Sequence, residues 1–106
     1  MPYDAQLATR LRRLLANRTD VTEMDMMGGH QFLVGGRICF GVRADTISVR
    51  VDPKERDAIL RRPHVEPMRL GARTTKGFVR VARAGVRRPE DLEAWVAVGL
   101  RSVGVE

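Results

Sequence analysis

Gly35-Gly36 stands between the apolar run Phe32-Leu33-Val34 and the segment Arg37 to Arg43. A two-residue hairpin turn needs positive φ at its central positions, and glycine adopts this without steric cost. The spacing therefore predicts a tight β-hairpin. A further strand, Thr46 to Val51, follows across a short link at Ala44-Asp45. Strands joined by links this short run antiparallel.

The two-residue period of a strand sorts these side chains into faces. Phe32, Val34, Ile38, Phe40, Val42, Ile47, Val49, Val51, Val79 and Val81 are expected to face a core. Leu33, Arg37, Cys39, Gly41, Arg43, Ser48, Arg50, Phe78 and Arg80 are expected on the opposite face. An antiparallel sheet covered on one side needs a polar outer face, and arginine stems suit that role. The same face also offers a dimer interface or an anion-binding surface.

Helical spacing brackets the strands. Leu7, Leu11, Leu14 and Leu15 form one stripe in a helix over 4–17, with Asp4 as its cap. A short strand is expected over 21–27. Asp52-Pro53-Lys54-Glu55 carries an N-cap, a proline at the first helical position and a glutamate at N3, so a short helix starts there and ends near Arg62. Strands are expected over 66–70 and 78–83. Pro89-Glu90-Asp91 opens a last helix, in which Leu92, Trp95, Val96, Gly99, Leu100 and Val103 share one face. The fold class is α+β, a largely antiparallel sheet with helices packed on one face.

The chain has 106 residues, enough for a single domain over 1–106. Charged residues make up 30% and the net charge is +6. All 19 basic residues except Lys54 and Lys76 are arginine, and they cluster no further than the pairs Arg12-Arg13, Arg61-Arg62 and Arg87-Arg88. That dispersion reads first as a solvated surface, and second as an affinity for polyanions. No apolar run is long enough to span a bilayer, and the first residues carry no leader pattern. Cys39 is the one cysteine, so no internal disulfide forms. A cytoplasmic protein without membrane association is expected.

Catalytic chemistry finds no constellation. Cys39 has no base marked beside it and reads as a structural thiol, or as a redox thiol if Arg37, Arg50 or Arg80 lowers its pKa. His30 and His64 lack partners at metal-ligand spacing, so neither metal nor other cofactor is expected. His30 is expected in the turn after Gly28-Gly29, and His64 at the exit of the short helix. Met24, Met26 and Met27 read as core rather than as a pliable binding surface. Glu23, Asp25 and Asp45 read as isolated surface acids.

Met26-Met27-Gly28-Gly29, Phe32-Leu33-Val34 with Gly36, and Val49-Arg50-Val51 resemble the N-terminal domain of the TfoX/Sxy family. So do Arg62-Pro63-His64-Val65-Glu66-Pro67-Met68, Lys76-Gly77-Phe78-Val79-Arg80-Val81 and Asp91-Leu92-Glu93-Ala94-Trp95-Val96. The resemblance runs from about Tyr3 to Val103. It implies an α-β(3)-α-β(2)-α order of the secretion-chaperone-like type. The pattern departs at Met27, where the family has Phe, and at Thr75, where it has Met. Founding members regulate competence genes as coactivators with a cyclic-AMP receptor protein, and they carry a C-terminal helical domain. No such domain is expected here, and the competence role is not carried over. The family brings no catalytic residues.

The expected activity is non-enzymatic binding of a protein partner, in the manner of a transcription-associated adaptor. Arg37, Arg43, Arg50, Phe78 and Arg80 form the expected partner-binding or anion-binding face, with Arg73 and Lys76 at its edge. The alternative is weak, salt-sensitive nucleic-acid binding through dispersed arginines. Homodimerisation through the face is a further expected use.

Overall fold

The computed structural model describes residues 3–26 and 28–104. Helix α1 (Ala5–Leu14) begins where the Asp4 carboxylate accepts the Gln6 and Leu7 amides at 2.9 and 3.2 Å. Its inner face buries Leu7, Ala8 and Leu11, and Leu15 is buried just beyond its end. Leu14, expected in the stripe, is exposed instead. Strands β1 (Val21–Met26), β2 (Gly29–Val34), β3 (Arg37–Arg43) and β4 (Thr46–Arg50) follow. Helix α2 (Arg56–Leu60) then leads to β5 (Val65–Leu70), β6 (Arg73–Val81) and helix α3 (Pro89–Ser102).

The six strands form one antiparallel sheet in the order β1-β2-β3-β4-β6-β5. The order α-β4-α-β2-α has one strand more than the resemblance implies, and the extra strand is the one expected over 21–27. Gly35 and Gly36, at φ 60° and 83°, make the expected turn. Helix α2 begins later than its capping signal. The Asp52 carboxylate does accept the Lys54 amide at 2.9 Å, but the Glu55 amide bonds the Asp52 carbonyl in a tight turn before the helix proper.

Helices α1 and α3 lie against one face of the sheet, and Ile59 of α2 joins the same core. In α3, Leu92, Trp95, Val96 and Gly99 are buried as expected, and Val98 is buried too. Gly99 sets how close α3 comes. A β-carbon there would stand 2.6 Å from Phe40 Cζ and 3.2 Å from Cys39 Sγ, inside contact distance for the ring.

The alternation expected for β3 breaks at its start. Phe32 pairs with Phe40 but Leu33 pairs with Ile38, so Cys39 is the extra residue of a bulge. The bulge reverses the expected faces. Cys39 turns inward and is fully buried, while Ile38 turns outward and is half-exposed. Arg37 pairs with Val34 at the strand's start, out of step with the outer-face row.

His30 is in β2, not in the preceding turn, and it builds an ion cluster at the sheet edge. Its Nδ1 lies 2.7 Å from Asp25 Oδ1 and its Nε2 lies 2.7 Å from Glu23 Oε1. Glu23 also accepts two hydrogen bonds from the Arg12 guanidinium of α1, at 2.6 and 2.9 Å. Tyr3 stacks on the imidazole at 5.0 Å, and Phe32 meets it edge-on at 5.3 Å. Glu23 and Asp25 are therefore not isolated acids. They tie the edge strand β1 to β2 and to α1.

The cluster makes stability depend on pH. Burial lowers the affinity of His30 for a proton, but the hydrogen bonds to Asp25 and Glu23 outweigh it and raise the pKa above the ordinary 6.5. The Arg12 guanidinium, with His30 helping, holds Glu23 at about 2 against an ordinary 4.5. The His30 contribution is complete below 6.5 and fades as pH rises through its raised pKa. The Glu23 contribution is complete above 4.5 and fades as pH falls toward about 2. Urea unfolding across pH should show a plateau between these limits. His30→Gln should remove the alkaline slope and cost about 1 kcal/mol at neutral pH, as for a partly solvated ion pair.

Gly99→Ala should destabilise the fold by about 1–3 kcal/mol, because the added methyl meets a ring that has no room to move. Thermal unfolding measures this.

Candidate functional site

The sheet face opposite the helices gathers most of the expected site. Across β3, β4, β6 and β5, one row of pairs runs Gly41, Ser48, Arg80, Glu66. Flanking pairs on the same face are Arg43 with Thr46 and Arg50 with Phe78. Gln31 and Ser48 are buried on this face although no helix covers them. They close over Gly41, where a β-carbon would stand 2.6 Å from Ser48 Oγ. Gln31 satisfies its amide by donating to the Met26 carbonyl at 3.1 Å.

Arg50 and Phe78 make the centre of the face. The guanidinium carbon of Arg50 lies 4.7 Å from the Phe78 ring centroid, a cation–π contact. Arg50 Nε donates to the Ile38 carbonyl, which the bulge has turned to face it. Burial, reinforced by the charge of Arg37, lowers the Arg50 pKa, but a guanidinium stays charged at neutral pH.

Arg80 is held from a different side. Its Nη1 donates to Thr46 Oγ1 at 3.1 Å, and the Thr46 hydroxyl donates in turn to the Arg43 carbonyl at 2.9 Å. Arg43, Arg80, Arg69, Glu66 and Pro67 line one open depression of about 390 Å³. Among the described residues, no carboxylate lies within 4.0 Å of Arg43, Arg50, Arg69 or Arg80. The acids that do form pairs are Glu23, Asp20, Asp25, Glu90 and Glu55, on other parts of the molecule.

The structure therefore brings together Arg43, Arg50, Phe78 and Arg80. Arg37 stays within electrostatic reach of Arg50 but leaves the row. Arg73 and Lys76 lie in β6 past the end of its pairing with β4, on the hairpin with β5, apart from the centre. Sequence reasoning missed Thr46, Glu66 and Arg69. The strand register places Thr46 and Glu66. Arg69 lies just past an irregularity between Pro67 and Arg69 that no sequence period reveals.

Three other expectations are corrected. Cys39 does not share the arginine face. It is packed at Gly99 and Phe40, and burial pushes its thiol up to about 12 against the opposing charges of Arg50, Arg18 and Arg37. Met24 is 44% exposed rather than core, Met26 is half-buried, and Met27 lies outside the described residues. His64 occupies a turn at φ 68° and accepts the Ala82 amide on its carbonyl at 2.8 Å. Among the described residues, no group of three His, Cys, Asp or Glu side chains is arranged to hold a metal ion. Among the described residues, no helix is long and apolar enough to cross a membrane.

The residue sequence agrees with this geometry at the level of family. The model of the TfoX N-terminal domain matches residues 13–103. The chain belongs to the TfoX N-terminal domain family. No curated protein and no solved structure matches it. The matched span covers all six strands, α2 and α3, and begins within α1. Within this TfoX N-terminal domain the motif Lys76-Gly77-Phe78-Val79-Arg80-Val81 supplies both Phe78 and Arg80 to the outer face.

The burial of Cys39 generates a direct check. An aromatic disulfide reagent at pH 8 should leave the native thiol unmodified and should react fully in denaturing urea, because the thiolate is scarce and enclosed. Absorbance of the released thiol follows this.

Proposed function

We propose that this TfoX N-terminal domain is a non-catalytic binding module, a transcription-associated adaptor that offers its outer sheet face to an acidic protein partner. One observation carries the reading. Arg50 lies over Phe78, Arg43 and Arg80 share the same face, which no helix among the described residues covers, and among the described residues no carboxylate lies within 4.0 Å of any of the three. Unpaired guanidiniums form strong, directional bonds to carboxylates, and an aromatic beside them supplies an apolar anchor. Family membership accords with a regulatory role, and the family is not a known enzyme family.

The second reading is nucleic-acid binding, favoured by the same cations and by the net charge of +6. The two differ in salt dependence. Phosphate neutralisation releases counterions and makes affinity fall steeply with salt, whereas an interface with an apolar centre depends on salt less.

The test titrates the protein with an acidic peptide carrying interspersed apolar residues, and separately with duplex DNA, each at two salt concentrations. Peptide binding should persist at the higher salt. It should weaken about tenfold in Arg50→Ala/Arg80→Ala, the loss of roughly 1.4 kcal/mol, with the fold unchanged by circular dichroism. Unchanged affinity in the double variant would remove the face from the assignment. DNA binding that collapses at the higher salt, with no peptide binding, would replace the adaptor by the nucleic-acid reading. A dimeric mass that becomes monomeric in the double variant would assign the face to self-association.

A further inference from the structure

The depression at one end of the outer face differs in kind from its Arg50–Phe78 centre. It is lined by Arg43, Arg69 and Arg80, with Glu66 and Pro67 completing the wall, and has a volume of about 390 Å³. Three separate strands supply the arginines that line it: β3, β5 and β6. None belongs to the adjacent arginine pairs of the sequence, so the convergence is a product of the sheet order. Three guanidinium charges against one carboxylate leave two positive charges around the opening.

One of these guanidiniums is positioned in advance. Thr46 Oγ1 accepts from Arg80 Nη1 at 3.1 Å while its own proton is committed to the Arg43 carbonyl at 2.9 Å. The hydroxyl can then serve Arg80 only as an acceptor, and the rest of the Arg80 fork stays available. Glu66 lies directly across the ladder from Arg80, yet no ion pair forms between them. Planar forks suit phosphate oxygens in bidentate fashion.

We infer that this depression is a binding site for a phosphomonoester-class dianion, held by Arg43, Arg69 and Arg80 and positioned by Thr46. The inference rests on the reading of the outer face as a binding surface and names a separate subsite within it. Two net positive charges at one opening match a dianion of one phosphate group. A nucleic-acid backbone, with one charge per diester, calls instead for cations spaced along a track. Glu66 opposes the anion, so it weakens binding.

The test needs no partner. The ¹⁵N-labelled full chain is titrated with inorganic phosphate, phenyl phosphate and dimethyl phosphate at matched ionic strength near pH 7.5, and amide shifts are followed. Inorganic and phenyl phosphate should give saturable shifts at Arg43, Glu66, Arg69 and Arg80, and dimethyl phosphate should bind at least several-fold more weakly. Arg69→Ala and Arg80→Ala should each lower affinity about tenfold, near the worth of one charge-assisted bond. Glu66→Gln should raise it. Thr46→Val should lower it and Thr46→Ser should restore it, which loss of packing alone would not do. Each variant's spectrum also reports whether it is folded. Equal shifts at the Arg12-Arg13, Arg61-Arg62 and Arg87-Arg88 pairs would overturn the inference, because the ion would then be following charge rather than a site. Wild-type affinity in Arg69→Ala, or equal binding of dimethyl phosphate, would overturn it as well. Arg69 lies outside the Arg50/Arg80 double variant used for the face. Peptide binding by the wild-type chain beside absent phosphate binding would therefore end this inference and leave the adaptor reading standing, whereas phosphate binding lost in Arg69→Ala with peptide affinity intact supports the separate subsite.

Discussion

Helix α3 packs on β3 through a position with no side chain. Gly99 lets the Phe40 ring and the Cys39 sulfur fill the gap between helix and sheet. Cys39 reaches that gap because it is the extra residue of the β3 bulge, and the same extra residue turns Ile38 outward. The Ile38 carbonyl then meets Arg50, and Arg50 lies over Phe78. A packing solution in the core thus reaches through one strand to set the centre of the exposed face. An unbulged β3 would present Cys39 there and put Ile38 under the helix.

Charge is sorted by the fold rather than by the chain. Arginine and acid are interspersed along the sequence, and the basic residues never run beyond pairs. In three dimensions the paired carboxylates lie at the sheet edge, at the start of α3 and near α2, where they hold Arg12, Arg18, His30, Arg88 and Arg101. On the outer face of β3, β4 and β6, no carboxylate among the described residues pairs with Arg43, Arg50 or Arg80. The solvated-surface reading of the arginines holds for many of them, but it does not describe Arg43, Arg50 and Arg80. These three share one face with an aromatic, and Arg80 is fixed by a hydroxyl.

The edge strand shows the same division of labour. Val21–Met26 exposes Met24 on the outer side and spends Glu23 and Asp25 on its inner side. Inward-pointing charges on an edge strand discourage pairing with other chains. Here they also clamp the strand to α1 through Arg12. The sequence shows two acids alternating with methionines, and nothing local shows that a histidine and an arginine from other elements converge on them.

Local features settled most of the architecture. Asp4 before the leucine stripe, Gly35-Gly36, Pro89 before two acids, and the two-residue alternation from Phe32 to Val51 each act over a few residues. Their outcome follows from capping, turn sterics and burial, and the helices, hairpins and fold class were legible from them. Family membership was legible too, from an ordered set of motifs. Tertiary structure alone decided the bulge at Cys39, the register that sets Arg80 opposite Glu66, the reach of Arg80 to Thr46, and the placing of Arg69 at the same depression as Arg43. A one-residue shift in pairing reverses which face a side chain takes, and at Cys39 that shift places the sulfur against Gly99 of α3. The sequence therefore determined the sheet, and contacts between distant segments determined which charges its open face displays.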